Sequence, residues 1–220
     1  GGESPNKFLL HALGFIAELD NGCLIPTTGA VLLFGRNPSV FLPQCYVKLT
    51  WEDGSKHITG NIFKMVQETC SLIRDIFKDP LYPYAAIEEA LVNALVHRDY
   101  LDFSRGVHVD IRDNCIEISN PGALVAVNKS VKYVDDNNPE RRNPWLYERI
   151  LIMDQGKRLL NMGSGFTRMK DAFSKKDRVQ FINLGSRNLF KVILPRKTAV
   201  QAPAEAQKTA DPPTGETAPP

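Results

Sequence analysis

Apolar positions along the chain fall into two rhythms, one of three to four residues and one of two. Phe8, Leu9, Ala12, Leu13 and Ile16 recur at helical spacing and predict a short helix over 6–19, after which Asp20-Asn21-Gly22 supplies a turn. Thr27-Thr28 caps a second short helix through Ala30 to Phe34, closed by Gly35 and blocked by Asn37-Pro38. Gln44 to Trp51 alternates and is rich in β-formers, so a strand is predicted, ending at Asp53-Gly54. Helical spacing returns over 61–77, stopped by Asp79-Pro80, and again from Tyr84 to about His97 behind Pro83. Val107, Val109 and Ile111 alternate with His108, Asp110 and Arg112. Asp113-Asn114 then turns the chain into Cys115 to Ser119, a β-hairpin with one buried face. Asn143 as cap and Pro144 open a helix through Trp145, Leu146, Ile150 and Leu151. Gly163-Ser164-Gly165 opens another through Phe166, Met169 and Phe173, and 179–194 reads as a closing hairpin around Gly185-Ser186-Arg187.

The helix that departs from a plain core pattern is the stretch EEALVNALVHRDY at 88–100. At about 100° per residue, Glu89, Asn93 and His97 form one stripe, while Ile87, Leu91, Ala94 and Leu95 make a core face opposite. Val92 and Val96 flank the stripe, so a carboxylate, an amide and an imidazole line a partly apolar wall. Two oxygen-bearing side chains one turn apart suit a hydrated divalent cation or an oriented water. On the helix alone, a solvated face with a capping histidine is the simpler reading. Two further stretches bear on the choice. The chain leaves the hairpin at Asn120-Pro121-Gly122, where proline ends strand pairing and glycine permits close backbone approach. Residues 124–162 are a long polar connection of the kind that serves as a lid, and the glycines at 163 and 165 expose backbone N–H groups suited to phosphate.

With 220 residues, 43% hydrophobic and 24% charged, the chain suffices for one sizeable domain with appendages. A formal charge of +2 gives no broad electrostatic footprint for nucleic acid or an acidic membrane. Cys23, Cys45, Cys70 and Cys115 are widely spaced and lack a histidine at ligand distance, which suits small reduced core residues and argues against zinc. No signal peptide or long apolar run stands out, so the expected location is cytoplasmic. From about Arg196 the Pro-, Ala- and Thr-rich composition cannot bury a core and predicts a disordered tail over 196–220. The start at Gly1 without methionine suggests a processed chain or an excised piece of a longer protein.

A helix with E-x-x-x-N, two strands, a glycine turn, a long loop and a GxG-led helix, in that order, resembles the GHKL nucleotide-binding fold of gyrase, the histidine kinases and the MutL repair proteins. The local sequence is closer to the RecG-like transcriptional regulators, on EEALVNALVHRDY at 88–100, IEISNPGAL at 116–124 and the block from Asn143-Pro144 to GSGFTRM at 163–169. The stretch LIPTTGAVLLFGRNP at 24–38 is similar to the segment that follows an AlbA-like or Schlafen-like domain in those proteins. The resemblance implies an α+β fold, a two-layer α/β sandwich with helices on one face of a mixed, mainly antiparallel sheet. An N-terminal α/β segment over 1–79 would lead into a nucleotide-binding domain over 80–195 whose lid spans 124–162.

By position, Glu89 and Asn93 match the first box of that family, in which the glutamate acts as general base and the asparagine ligates Mg²⁺. His97 stands where it would touch phosphate or brace Arg98 and Asp99. Asn120 and Gly122 occupy the second box, usually Asp-x-Gly-x-Gly, with asparagine in place of the adenine-contacting aspartate and Leu124 in place of the second glycine. A neutral acceptor is weaker than a charged one. Gly163, Ser164 and Gly165 match the phosphate-wrapping third box, with Lys157, Arg158 and Arg168 close enough in sequence to add positive charge. The resemblance implies ATP and Mg²⁺ as cofactors, slow hydrolysis, a homodimer, and DNA contact only through a domain outside this chain. The alternative is a degenerate, non-catalytic fold kept as a dimerisation or interaction platform.

Overall fold

A computed structural model describes residues 6–124, 141–154, 165–174 and 178–196. All of the expected tail but Arg196, most of the expected lid, and Lys157, Arg158, Gly163 and Ser164 lie outside the described residues.

Helix α1 spans Lys7–Ala12, its first turn capped by Asn6, whose Oδ1 accepts from the Phe8 N–H at 2.9 Å. It does not run on to Leu19. Gly14 adopts φ +72°, a left-handed conformation that ends the helix, and strand β1 (Ile16–Glu18) pairs antiparallel with β2 (Leu24–Pro26) across the expected turn. Helix α2 spans Thr28–Phe34, and its cap Thr27 also donates its hydroxyl to the Gly14 carbonyl at 2.8 Å, binding this unit together. Strand β3 (Tyr46–Trp51) turns directly into β4 (Gly54–Thr59). β4 has no amphipathic rhythm because Ile58 is its one buried residue, so spacing does not reveal it.

The remaining elements are α3 (Ile62–Phe77), α4 (Tyr84–Val96), β5 (Val107–Ile111), β6 (Cys115–Pro121), α5 (Pro144–Met153), α6 (Gly165–Asp171), β7 (Gln180–Leu184) and β8 (Leu189–Pro195). A six-stranded sheet has the order β4-β3-β5-β6-β8-β7, with β3 and β5 parallel and every other neighbouring pair antiparallel. The parallel pair requires a crossover, which α3 and α4 provide. Strands on both sides of residue 79 therefore share one sheet.

Burial alternates along β5 and β8, so one face of the sheet takes the helices and the other stays partly open. Val47, Val109, Ile118 and Leu194 meet Met65 and Ile73 of α3 and Ile87 and Leu91 of α4 in a single core. This is the two-layer, mainly antiparallel arrangement that the sequence predicts. Helix α4 is enclosed more fully than an amphipathic helix, since Ala86, Ala90, Val92 and Val96 are buried along with its core face. Within the stretch expected to form a lid, α5 packs Leu146 and Ile150 into the core. Among the described residues no helix is long and apolar enough to cross a membrane.

Candidate functional site

On α4 the few polar side chains stand out because nearly everything around them is apolar and buried. Glu89 Oε1 accepts from the Asn93 Nδ2 at 3.0 Å, the i,i+4 pairing that their spacing predicts. Glu89 Oε2 accepts from Arg168 Nη2 of α6 at 2.7 Å, an ion pair whose carboxylate is 11% and whose guanidinium side chain is 32% exposed. With the Asn93 amide nitrogen turned to Glu89, its Oδ1 is the atom left to serve as an oxygen ligand. Helix α6 approaches this pair through Gly165. A Cβ there would lie 2.5 Å from Glu89 Oε1 and 3.3 Å from Asn93 Nδ2, so a larger residue would have to push the Glu89 carboxylate out of its present place. Glu89 and Asn93 of the α4 stripe and Gly165 at the start of α6 thus meet.

His97 lies two turns along from Glu89 and belongs to a second cluster. It is the C-cap residue of α4, and its ring stacks on Tyr147 of α5 with centroids 6.1 Å apart and planes 25° from parallel. The Arg141 guanidinium sits over the Tyr147 ring at 4.1 Å. Burial, followed by the charges of Arg141 and Arg142, pushes the His97 pKa down to about 4, so the ring is neutral at pH 7. Arg98 is 1% exposed. Its guanidinium donates to the carbonyls of Asp99 and Asp102, both at 2.6 Å, and of Arg105 at 2.5 Å, clamping the loop after α4.

The Asn120-Pro121-Gly122 stretch packs on that same helix end. Asn120 is 3% exposed in β6 and donates its amide to the Pro121 carbonyl at 3.1 Å. Gly122 has φ +120°, and a Cβ would lie 3.0 Å from Arg142 Nε, the Asp99 nitrogen and the His97 carbonyl oxygen. The Asp99 N–H donates to the Pro121 carbonyl at 2.7 Å. Arg142 completes the corner, donating to the Ala123 carbonyl at 2.7 Å and pairing with Asp99 Oδ2 at 3.6 Å.

Three residues whose distant partners spacing does not reveal hold these clusters in place. Arg168 joins α6 to Glu89. Asn143 occupies the N-cap position of α5 without making the cap hydrogen bond, contrary to expectation. Its Nδ2 instead donates to the carbonyls of Val96 and Arg98, both at 2.8 Å, because α4 ends without a glycine to turn those groups inward. Asn188, in the left-handed region at φ +46°, accepts from the Ala123 N–H and donates to Asp99 Oδ2 at 2.9 Å. In sequence Asn143-Pro144 reads as a helix opening and Asn188 as the start of the last strand, with nothing to show their distant partners.

Among the described residues no three His, Cys, Asp or Glu side chains gather as a metal site. Cys45 and Cys70 are buried as expected, whereas Cys23 is exposed. A hollow of about 400 Å³ opens between α1, β1 and α2, lined by Leu10, Phe15, Val31 and Phe34, and Arg36 is its one charged group. It contains none of the stripe residues.

No curated protein matches the chain. A solved structure, that of the DIP2311 protein from Corynebacterium diphtheriae, superposes with a TM-score of 0.66 at 19% identity, covering 88% of this chain and 34% of that one. The chain thus spans about a third of that protein's length, and the likeness is one of fold. Residues 104–194, which include Asn120, Gly122, Gly165 and Arg168 but begin after α4, match the family described as "Putative ATP-dependent DNA helicase recG C-terminal". Over that segment the chain is similar to the ATPase-like module of RecG-type proteins.

Proposed function

We propose that the Glu89–Asn93 face of α4 is the phosphate-facing wall of a Mg²⁺-dependent ATP site. The observation that carries this reading is the meeting of Glu89, Asn93 and Gly165, a carboxylate and an amide inside an otherwise apolar wall with a glycine backbone pressed against them. Asn93 Oδ1 suits a hard cation as one protein oxygen, with phosphate oxygens and water completing the shell. When bound, the cation would neutralise phosphate charge. Glu89 would orient the attacking water as general base, and His97, neutral at pH 7, would offer a hydrogen bond rather than charge. Asn120 and Gly122 would shape the base-binding end, and Gly163, Ser164 and Gly165 the phosphate end. Nucleotide would change the arrangement of 124–162 and so regulate homodimer assembly or DNA contact in a RecG-like regulator. The near-neutral charge favours DNA contact elsewhere in such a protein.

Calorimetric titration of ATP with and without Mg²⁺ tests the site. Wild type is expected to bind more tightly with Mg²⁺, and Asn93→Ala to lose about tenfold in affinity with Mg²⁺ while matching wild type without it. Equal binding by both proteins with Mg²⁺ would remove Asn93 as the metal ligand, and no saturation at millimolar nucleotide would remove the site.

A non-catalytic platform is the second reading. Ile152 and Met153 at the end of α5 are 62% and 36% exposed, which suits a contact surface. That reading expects function to survive Glu89→Ala and to be lost with Ile152→Asp.

A further inference from the structure

Glu89 has a donor on each of its oxygens, Asn93 on one and Arg168 on the other. As the pair stands, α6 and α4 are fastened by the carboxylate that the nucleotide reading requires for water. Of the two partners Arg168 is the more accessible, at 32% against 11%, so an incoming anion meets the guanidinium before it meets Glu89. A guanidinium fork fits phosphate as well as it fits carboxylate. Helix α6 itself is anchored apart from this contact. Met169 is fully buried, and Phe166 meets Phe181 edge-on at 4.5 Å and Phe190 at 6.0 Å. The guanidinium can therefore change partner by side-chain rotation while the helix stays seated.

We propose that Arg168 is a positioning residue that exchanges the Glu89 carboxylate for the phosphates of a bound nucleotide, releasing Glu89 to act with Asn93. This rests on the nucleotide reading and adds a rule of operation to it. Without polyphosphate the site is held shut by its own ion pair. With it, the same cation that immobilised the carboxylate becomes a ligand of the substrate.

The test is a double-mutant cycle on the full chain with Glu89→Gln, Arg168→Gln and the double variant, measured by urea unfolding with and without saturating Mg-ATP after calorimetry has established binding. Without nucleotide, the two substitutions are expected to couple by about fivefold in the unfolding constant, the scale of a partly buried ion pair. With nucleotide the coupling should fall to near onefold. Arg168→Gln should weaken ATP about tenfold and leave adenosine, which has no phosphate, unchanged. A purely structural ion pair would couple equally in both conditions, and that result, in a protein that binds ATP, overturns this inference while sparing the nucleotide site. Absence of ATP binding in wild type overturns both. If Arg168→Gln fails to fold, Arg168→Lys takes its place, and nucleotide-independent coupling is again the overturning result.

Discussion

A buried imidazole can be held neutral only if the fold tolerates the cost, and His97 shows where that cost falls. Its pKa is pushed down to about 4 from an ordinary value near 6.5, first by burial and then by Arg141 and Arg142. In the unfolded chain the ring takes up a proton below about pH 6.5, whereas in the fold it resists until about pH 4. Stability from this residue is therefore fully present above 6.5 and is lost as pH falls towards 4, to a limit of about 3 kcal/mol. His108, also held low by burial, acts in the same direction, so total acid sensitivity does not isolate His97. The expected result is that His97→Gln, compared with wild type by urea unfolding at pH 7 and pH 4.5, loses less stability on acidification. Parallel loss in the two proteins would show that His97 protonates as readily in the fold as outside it.

At the level of elements, local chemistry was legible and remote chemistry was not. The Glu89–Asn93 pair follows from helical period because both partners sit on α4. Arg168 is 79 positions from Glu89, and Asn143 is 47 from Val96, so no spacing rule connects them. The break at Gly14 was masked because Leu13 and Ile16 continue a helical rhythm that the backbone does not follow. The end of α4 makes the difference measurable. Asn143 there donates to two carbonyls in a part-buried setting, and replacing it by alanine leaves both without that donor, for an expected loss of about 1–2 kcal/mol in urea unfolding. Asn143→Asp separates this role from capping. Aspartate serves an N-cap as well as asparagine does, but here it would face two carbonyl oxygens with no N–H to offer. It should therefore destabilise more than alanine, and a neutral or stabilising effect would restore the capping role.

The molecule as a whole is organised by the parallel seam between β3 and β5. Val47, Leu49, Val107 and Val109 are all fully buried along it, so the strands before residue 79 cover core that the strands after it also need. A second tie runs through Trp145 of α5, whose indole N–H donates to the Leu13 carbonyl at 3.2 Å and whose ring meets Phe15 edge-on at 5.5 Å. The two tryptophans therefore report on different regions, Trp51 on the sheet and Trp145 on the junction of α5 with the first helix and hairpin. Shared core implies shared melting. Trp51→Phe and Trp145→Phe, each leaving one fluorophore, should unfold in urea with the same midpoint by fluorescence and by far-ultraviolet circular dichroism, after correction for each substitution's own effect. If the Trp145 signal is lost well before the Trp51 signal, the N-terminal unit and α5 open independently of the sheet.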